Sequence, residues 1–459
     1  MTLTLRQTAR LMKGTIENGL PSSTAAGYSI DTRTIQPDEL FFAIVSARDG
    51  HDFVQTAAIK GALGAVVSRK IAPPTSDFAL IQVHNTLLAL QDLARGVRRD
   101  SAAQVVGITG SIGKTTTRAF AASLLSLRYR VLQSEGNLNN HLGVPLMLLR
   151  LNPTHEVAVL EMAMSRAGEI ARLTQIVEPD IAVVTNVYPV HLEFFRSIEE
   201  IAAAKMEILK EMKTGGIAVL NGDDPRVEAM SHQARGPVIR FGLSDACDIR
   251  AADVQPTPER GLRCLLRYGG LEEPVNLPFV YTSYLSNFLA ACAVGYALGL
   301  ELSAVLETAP TLLPLSNRGR MYSLKCGLIL VDDSYNSSPA ALDSALRSLG
   351  GFQAPRKIAV LGDMLELGEN GIRFHEEAGR TTAETGWGML VTVGPLARHI
   401  AGGAINAGLP GKQVLSFETA EEAGPHIQSL LKEGDLILVK GSRGVKLETI
   451  VEIIKRKDD

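Results

Sequence analysis

From Gln104 onward, short apolar runs alternate with longer amphipathic stretches. The runs "QVVGIT", "RVLQS", "EVAVLEM", "DIAVVTN" and "GIAVLNG" are strand-sized, and a helix is expected from Lys114. Strands separated by helix-length segments predict βαβ units, a parallel sheet, and ligands at the carboxyl ends of its strands. A second alternating series follows in "KIAVLGD", "GMLVTVG", "KQVLSF" and "DLILVKG". The polar, proline-containing junction "TLLPLSNRGR" between the two series argues for separate domains. Before residue 100, strands such as "LFFAIV" and "FALIQV" mix with helices such as "TLLALQDLARGVRR", which predicts a small α/β domain of its own. The expected fold class is α/β in three domains, 1–100, 101–315 and 316–459.

One stretch needs a separate decision. The uncharged run "PVNLPFVYTSYLSNFLAACAVGYALGL" from Pro274 is interrupted by Pro278, Ser283, Ser286 and Asn287. Its continuous apolar part falls short of the roughly 20 residues of a membrane span. It reads as a buried helix following a loop. No sequence repeat or low-complexity tract breaks the pattern elsewhere.

Composition changes this picture little. Of 459 residues, 46% are hydrophobic and 21% charged, and Lys plus Arg (46) nearly balance Asp plus Glu (49). A net charge of -3 gives no sign of a nucleic-acid or membrane-surface binder. Cys247, Cys264, Cys292 and Cys326 are scattered without CxxC spacing, as expected for reduced thiols in a cytosolic protein. The start "MTLTLRQTARLMKG" has no apolar core of a signal peptide, so none is expected.

The candidate chemistry begins at "GITGSIGKTTT", 107 to 117. A Walker A loop wants Gly five places before the Gly-Lys pair, and Ile108 stands there; the glycines fall at Gly107, Gly110 and Gly113. Even so, an apolar strand precedes the loop and a helix follows it. Backbone N–H groups from Gly110 to Thr115 could then wrap phosphate oxygens at the positive end of the helix. Lys114 would neutralise the outer phosphates and Thr115 would offer a hydroxyl to Mg²⁺. The competing reading is a plain strand-to-helix turn.

Three further positions gain meaning from that loop. Glu161 ends the run "EVAVLEM" and could be a Mg²⁺ ligand, although a strand-end Glu is often just a solvated loop residue. His191, in "VYPVHLEFF", follows the next strand and is either a ligand at the same sheet edge or a packed, hydrogen-bonded ring. In "SIEEIAAAKMEILKEM", Lys205 falls on the stripe of Ile198, Ile201, Ile208, Leu209 and Met212. A lysine there must snorkel, pair, or give up its charge. A neutral amine could react with CO₂ to give a carbamate, an anionic oxygen ligand for a second Mg²⁺. A snorkelling lysine at a domain edge remains the other reading.

Taken together, "TGSIGKTT", the strand-end Glu161, "HLE" after "TN", and "AAAKME" resemble the ATP-dependent Mur ligases of peptidoglycan synthesis. Further segments resemble the member of that family that adds D-alanyl-D-alanine: "DTRTIQPDELFFAIVSARDGHDF", "GNLNNHLGVPLMLL", "VDDSYNSSPAAL", "LGDMLELGE" and "LVKGSRGVKLE". The strings "DYAHTPD" and "DNPR", expected of the sibling that adds a diamino acid, are absent. The resemblance spans essentially the whole chain.

It implies a UDP-sugar-binding first domain, a central P-loop-type ATPase and a Rossmann-like C-terminal ligase domain. It implies ATP contacts at Gly110, Ser111, Ile112, Gly113, Lys114, Thr115, Thr116, Asn287, Arg318 and Asp333. It also implies substrate contacts at Asp31, Thr32, Arg33, Asn139 and Asn140. One Mg²⁺ would lie on Thr115 and Glu161, and a second on His191 and carbamylated Lys205. The implied partners are small molecules, UDP-N-acetylmuramoyl-tripeptide and D-Ala-D-Ala, met by a cytoplasmic monomer with no nucleic acid and no membrane insertion. The implied reaction makes an acyl phosphate from ATP and a peptide carboxylate, which an amine then attacks. Where the family usually reads "GxHNxxN", this chain has "YTSYLSN", with Ser283 and Tyr284 in place of His-Asn. Ile112 and Ala163 are smaller departures. The alternatives are a sibling ligase adding a diamino acid or another amine, and a P-loop switch protein without catalysis.

Overall fold

The computed structural model describes residues 3–190, 192–257, 261–279 and 281–456. Three sheets follow one another along the chain. The first has five strands in the order Thr15–Asn18, Ala79–Gln82, Gly64–Val67, Glu39–Phe42, Gly27–Ser29. Only the Thr15–Asn18 edge runs antiparallel. The helix Thr86–Asp100 covers this sheet with Leu90, Leu93 and Val97, and Asn85 caps it by accepting from the Leu88 N–H. From its last turn the buried Arg98 reaches the second sheet, pairing with Asp180 at 2.8 Å.

The central sheet has nine strands. Its parallel part runs Val131–Gln133, Val157–Glu161, Gln104–Thr109, Ile181–Val184, Ile217–Asn221, Val238–Gly242, Ile249–Pro256. These strands are fully or largely buried by helices, and they read as continuous Val/Ile/Leu runs for that reason. The chain moves to one side of Gln104–Thr109 before returning to its other side at Ile181–Val184. That reversal leaves a crevice at the carboxyl ends of these two strands.

The antiparallel strands Leu262–Tyr268 and Leu271–Leu277 complete the sheet. The segment expected to be a loop from Pro274 therefore begins inside the edge strand Leu271–Leu277. Pro274 is tolerated there because an edge strand has one unpaired side. The buried helix after it is present as Thr282–Ala297. Among the described residues no helix is long and apolar enough to cross a membrane.

The third sheet runs Arg320–Ser323, Ile329–Asp333, Leu436–Lys440, Lys357–Gly362, Met389–Val393, Val414–Phe417, parallel except at its first strand. Two apolar clusters run between sheets, while others stay within the C-terminal and the first layer. One cluster joins Phe120 and Phe288 of the central layer to Leu342, Leu346 and Leu438 of the C-terminal layer. Another joins Leu90 and Leu93 to Leu160, Ile170 and Ile208.

Candidate active site

The crevice at the sheet reversal holds the glycine loop. Gly110 (φ +149°) and Gly113 (φ +84°) adopt backbone that side chains rarely take. A Cβ on Gly110 would lie 1.9 Å from Thr185 Oγ1, and one on Gly113 would lie 2.2 Å from Asn287 Oδ1. Both positions therefore require glycine twice over. The next strand's exit loop laces the turn shut. Asn186 Oδ1 accepts from the Ile112 N–H at 2.9 Å, while Thr185 Oγ1 and Asn186 Nδ2 donate to the Ile112 carbonyl.

This geometry corrects one detail of the expected cradle. The N–H groups of Ser111 and Ile112 donate to Asn186, so they are committed to protein acceptors. The groups left for phosphate include that of Gly113 and those of the first turn of the helix Lys114–Leu125. The Lys114 ammonium donates to the carbonyls of Gly110 and Ser111 at 2.8 and 3.1 Å, over the same turn. Burial lowers its pKa; Glu161 opposes that shift and Arg318 adds to it.

A cavity of about 550 Å³ opens above the loop. Ser111 to Thr116, Asn139, Glu161, Asn287, Arg318 and Asp333 all line it, so residues distant in sequence meet at one place. Glu161 is 3% exposed, and its Oε1 accepts from Asn139 Nδ2 at 2.9 Å. This buried carboxylate and the hydroxyl of Thr115 form a hard oxygen pair of the kind Mg²⁺ takes while keeping water and phosphate oxygens. The donor set thus fits Mg²⁺. Lys205 is buried on the stripe of its helix Ile198–Glu211, as its spacing suggests. Burial first, and then the charge of Lys114, push its pKa well below the ordinary value. His191 lies outside the described residues.

The C-terminal sheet supplies the opposite wall. Lys440 Nζ donates to Asp333 Oδ2 at 2.7 Å and to the Asn336 carbonyl at 3.0 Å. The Arg318 guanidinium lies 4.0 Å from the centre of the Tyr335 ring, and Arg443 flanks the same ring at 5.4 Å.

Asp31, Thr32 and Arg33 line a different cavity, of about 1330 Å³, between the first sheet and the segment 138–153. Asp31 takes a bidentate grip on Arg33, which holds its own carboxyl below the usual carboxylate range. Asn139 faces the phosphate cavity instead. Asn140 lines neither: its Oδ1 accepts from the N–H groups of Leu142 and Gly143, where the chain enters the helix Gly143–Leu148.

Several residues at the site escape a reading of sequence. Thr185, Asn186, Lys440, Tyr335 and Arg443 act through partners far along the chain. Arg118 left a signal, since it lies one turn after Lys114 on the same helix face. It is 5% exposed, its Nε and Nη1 have no partner among the described residues, and Glu161 is the carboxylate acting most strongly on it.

Residues 108–295 match the Mur ligase middle domain and residues 318–443 match the Mur ligase, glutamate ligase domain. The chain belongs to the Mur ligase family. A relative from Bacillus subtilis (strain 168), named UDP-N-acetylmuramoyl-tripeptide–D-alanyl-D-alanine ligase, is 34% identical over 98% of this chain and 97% of its own. MurF from Acinetobacter baumannii superposes with a TM-score of 0.90 at 28% identity, covering 99% of both chains. MurF from Thermotoga maritima in complex with ADP superposes with a TM-score of 0.83 at 30% identity, covering 94% of this chain and 97% of that one.

Proposed function

We propose that this protein joins D-alanyl-D-alanine to UDP-N-acetylmuramoyl-tripeptide at the expense of ATP, giving the UDP-muramoyl-pentapeptide of peptidoglycan synthesis. The observation that carries this reading is the cavity in which the glycine cradle, Glu161 and the C-terminal residues Arg318 and Asp333 face one another. The domain roles follow: 1–100 holds the UDP-sugar, 101–315 the nucleotide phosphates, and 316–459 closes the site. The large cavity at Asp31, Thr32 and Arg33 takes the UDP-sugar end of the substrate.

A peptide carboxylate is a poor electrophile, so its oxygen first attacks the γ-phosphorus of ATP and ADP leaves. The acyl phosphate is then attacked at its carbonyl carbon by the amine of D-Ala-D-Ala, which loses a proton as phosphate departs. Lys114 is placed to follow the charge on the transferring phosphoryl group. Arg318, Asp333 and Asn287 hold the nucleotide, and the two facing walls exclude water that would hydrolyse the acyl phosphate. ATP and Mg²⁺ serve the reaction. Thr115 and Glu161 would hold Mg²⁺, which would supply charge neutralisation on the phosphate oxygens. For a second ion, the Lys205 amine in its neutral form would add CO₂, releasing a proton, and the resulting carbamate together with His191 would supply the ligands.

The test is product formation. UDP-muramoyl tripeptide with D-Ala-D-Ala and ATP should yield ADP, phosphate and pentapeptide by mass spectrometry. Turnover of the dipeptide with a diamino acid instead would sink this assignment. A cytoplasmic location accords with these water-soluble substrates.

A further inference from the structure

The departure "YTSYLSN" has a structural role of its own. Tyr284 and Asn287 are three residues apart on the helix Thr282–Ala297 and so share one face. Asn287 meets the phosphate loop: its Oδ1 accepts from Thr117 Oγ1 at 3.3 Å and fills the space a Cβ on Gly113 would need. Tyr284 meets the crossing into the C-terminal sheet, where its hydroxyl donates to the backbone carbonyl of Arg318. Gly319 follows at φ +67°. A Cβ there would stand 2.4 Å from Tyr284 Oη and 2.5 Å from Tyr281 Cε2, so only glycine lets the crossing approach this closely.

The tyrosine cannot swing away. It is 7% exposed, and its ring centre lies 5.1 Å from that of Tyr281, 5.9 Å from Phe279 and 6.5 Å from Phe120. Phe120 belongs to the helix that starts at Lys114. One helix face thus touches the phosphate loop through residue 287 and the interdomain crossing through residue 284.

We propose that Tyr284 is a positioning residue for the nucleotide, its hydroxyl holding the Arg318–Gly319 crossing at a fixed distance from the phosphate-loop helix. Arg318 then arrives at the cavity already placed, with its guanidinium over Tyr335. The inference rests on the reading of Arg318 as a nucleotide contact. It adds the group that sets where Arg318 stands.

Tyr284→Phe keeps the ring contacts and removes only the donor. In steady-state ligation with the muramoyl tripeptide and D-Ala-D-Ala, KM for ATP should rise about three- to tenfold, the worth of one hydrogen bond. KM for the tripeptide should stay within about twofold. An unchanged KM for ATP, or an equal rise for both substrates, overturns the proposal. A fall in thermal midpoint leaves this test intact, because KM does not depend on the fraction of enzyme folded. If Tyr284→Phe does not fold, Gly319→Ala is read the same way, since its Cβ displaces the crossing from Tyr284. Arg318→Ala in parallel separates the two ideas. If it leaves KM for ATP unchanged, Arg318 is not a nucleotide contact and the proposal falls with that reading; if it raises KM while Tyr284→Phe does not, only the positioning role fails.

Discussion

Lys440 and Lys205 are equally buried, each 2% exposed, yet their surroundings are opposite. Lys440 ends a strand of the C-terminal sheet and has a carboxylate at 2.7 Å and a carbonyl at 3.0 Å. Lys205 sits on the apolar side of a central-domain helix, and the charge that acts on it is another cation, Lys114. Burying an ammonium is costly unless it is paired. The first lysine is therefore an ion-paired part of a wall, while burial and a neighbouring cation push the pKa of the second well below the ordinary value. Burial alone says little about a lysine; what faces its nitrogen decides.

The widest gap between the two should appear in activity. Lys205→Ala should lower ligation by about a thousandfold or more, the scale of losing a group that acts in the transition state. A short-chain carboxylate such as acetate should restore part of the rate. Full activity of that variant would remove the carbamate from the mechanism.

The next contrast is in stability. Asp333→Asn strands Lys440 in a buried place, and urea unfolding should show a loss of about 3–5 kcal/mol. Adding Lys440→Met should recover most of that loss, and a failure to do so would mean that the pair is not what Asp333 stabilises. A third buried group extends the comparison to one whose charged form is disfavoured by burial. His375 accepts from the Met364 N–H at 3.0 Å and donates to the Gly371 carbonyl at 2.6 Å, and burial lowers its pKa below the ordinary 6.5. The unfolded chain takes up this proton at a higher pH than the folded one does. Its contribution is therefore complete above pH 6.5 and is lost as pH falls through the lower folded value. Thermal midpoints measured from pH 8 to pH 5 should fall accordingly, by the equivalent of about 1–3 kcal/mol, and His375→Gln should flatten the curve. Smallest of all, Lys205→Met should change unfolding free energy by less than about 1 kcal/mol, because Lys205 has no ion pair among the described residues. A large loss would reveal a partner for Lys205 and erase the contrast with Lys440.

How much of this was legible in the sequence depended on range. The parallel strands announced themselves because burial on both faces forces continuous apolar runs, and the cradle did so because Gly110 and Gly113 answer a backbone demand written within a few residues. Lys205 was visible as a charge on the wrong side of a stripe. The hairpin Leu262–Leu277 was not, because its outer strand is half polar and contains Pro274. Asn140 matched a substrate segment, but its side-chain oxygen is taken up by local backbone N–H groups. Asn186, Lys440 and the bond from Tyr284 to Arg318 exist only once distant segments are brought together, and no local spacing encodes them.

The apolar cluster shared by the central and C-terminal layers has an elastic consequence. Phe288 and Leu285 belong to the same oily continuum as Leu342 and Leu346. Swinging the two layers apart would therefore expose hydrocarbon to water, at about 2.5 kcal/mol for every 100 Å² uncovered. Such a seam acts as a return spring: opening wide enough to admit or release a large substrate is resisted in proportion to its amplitude, and reclosure needs no ligand to drive it.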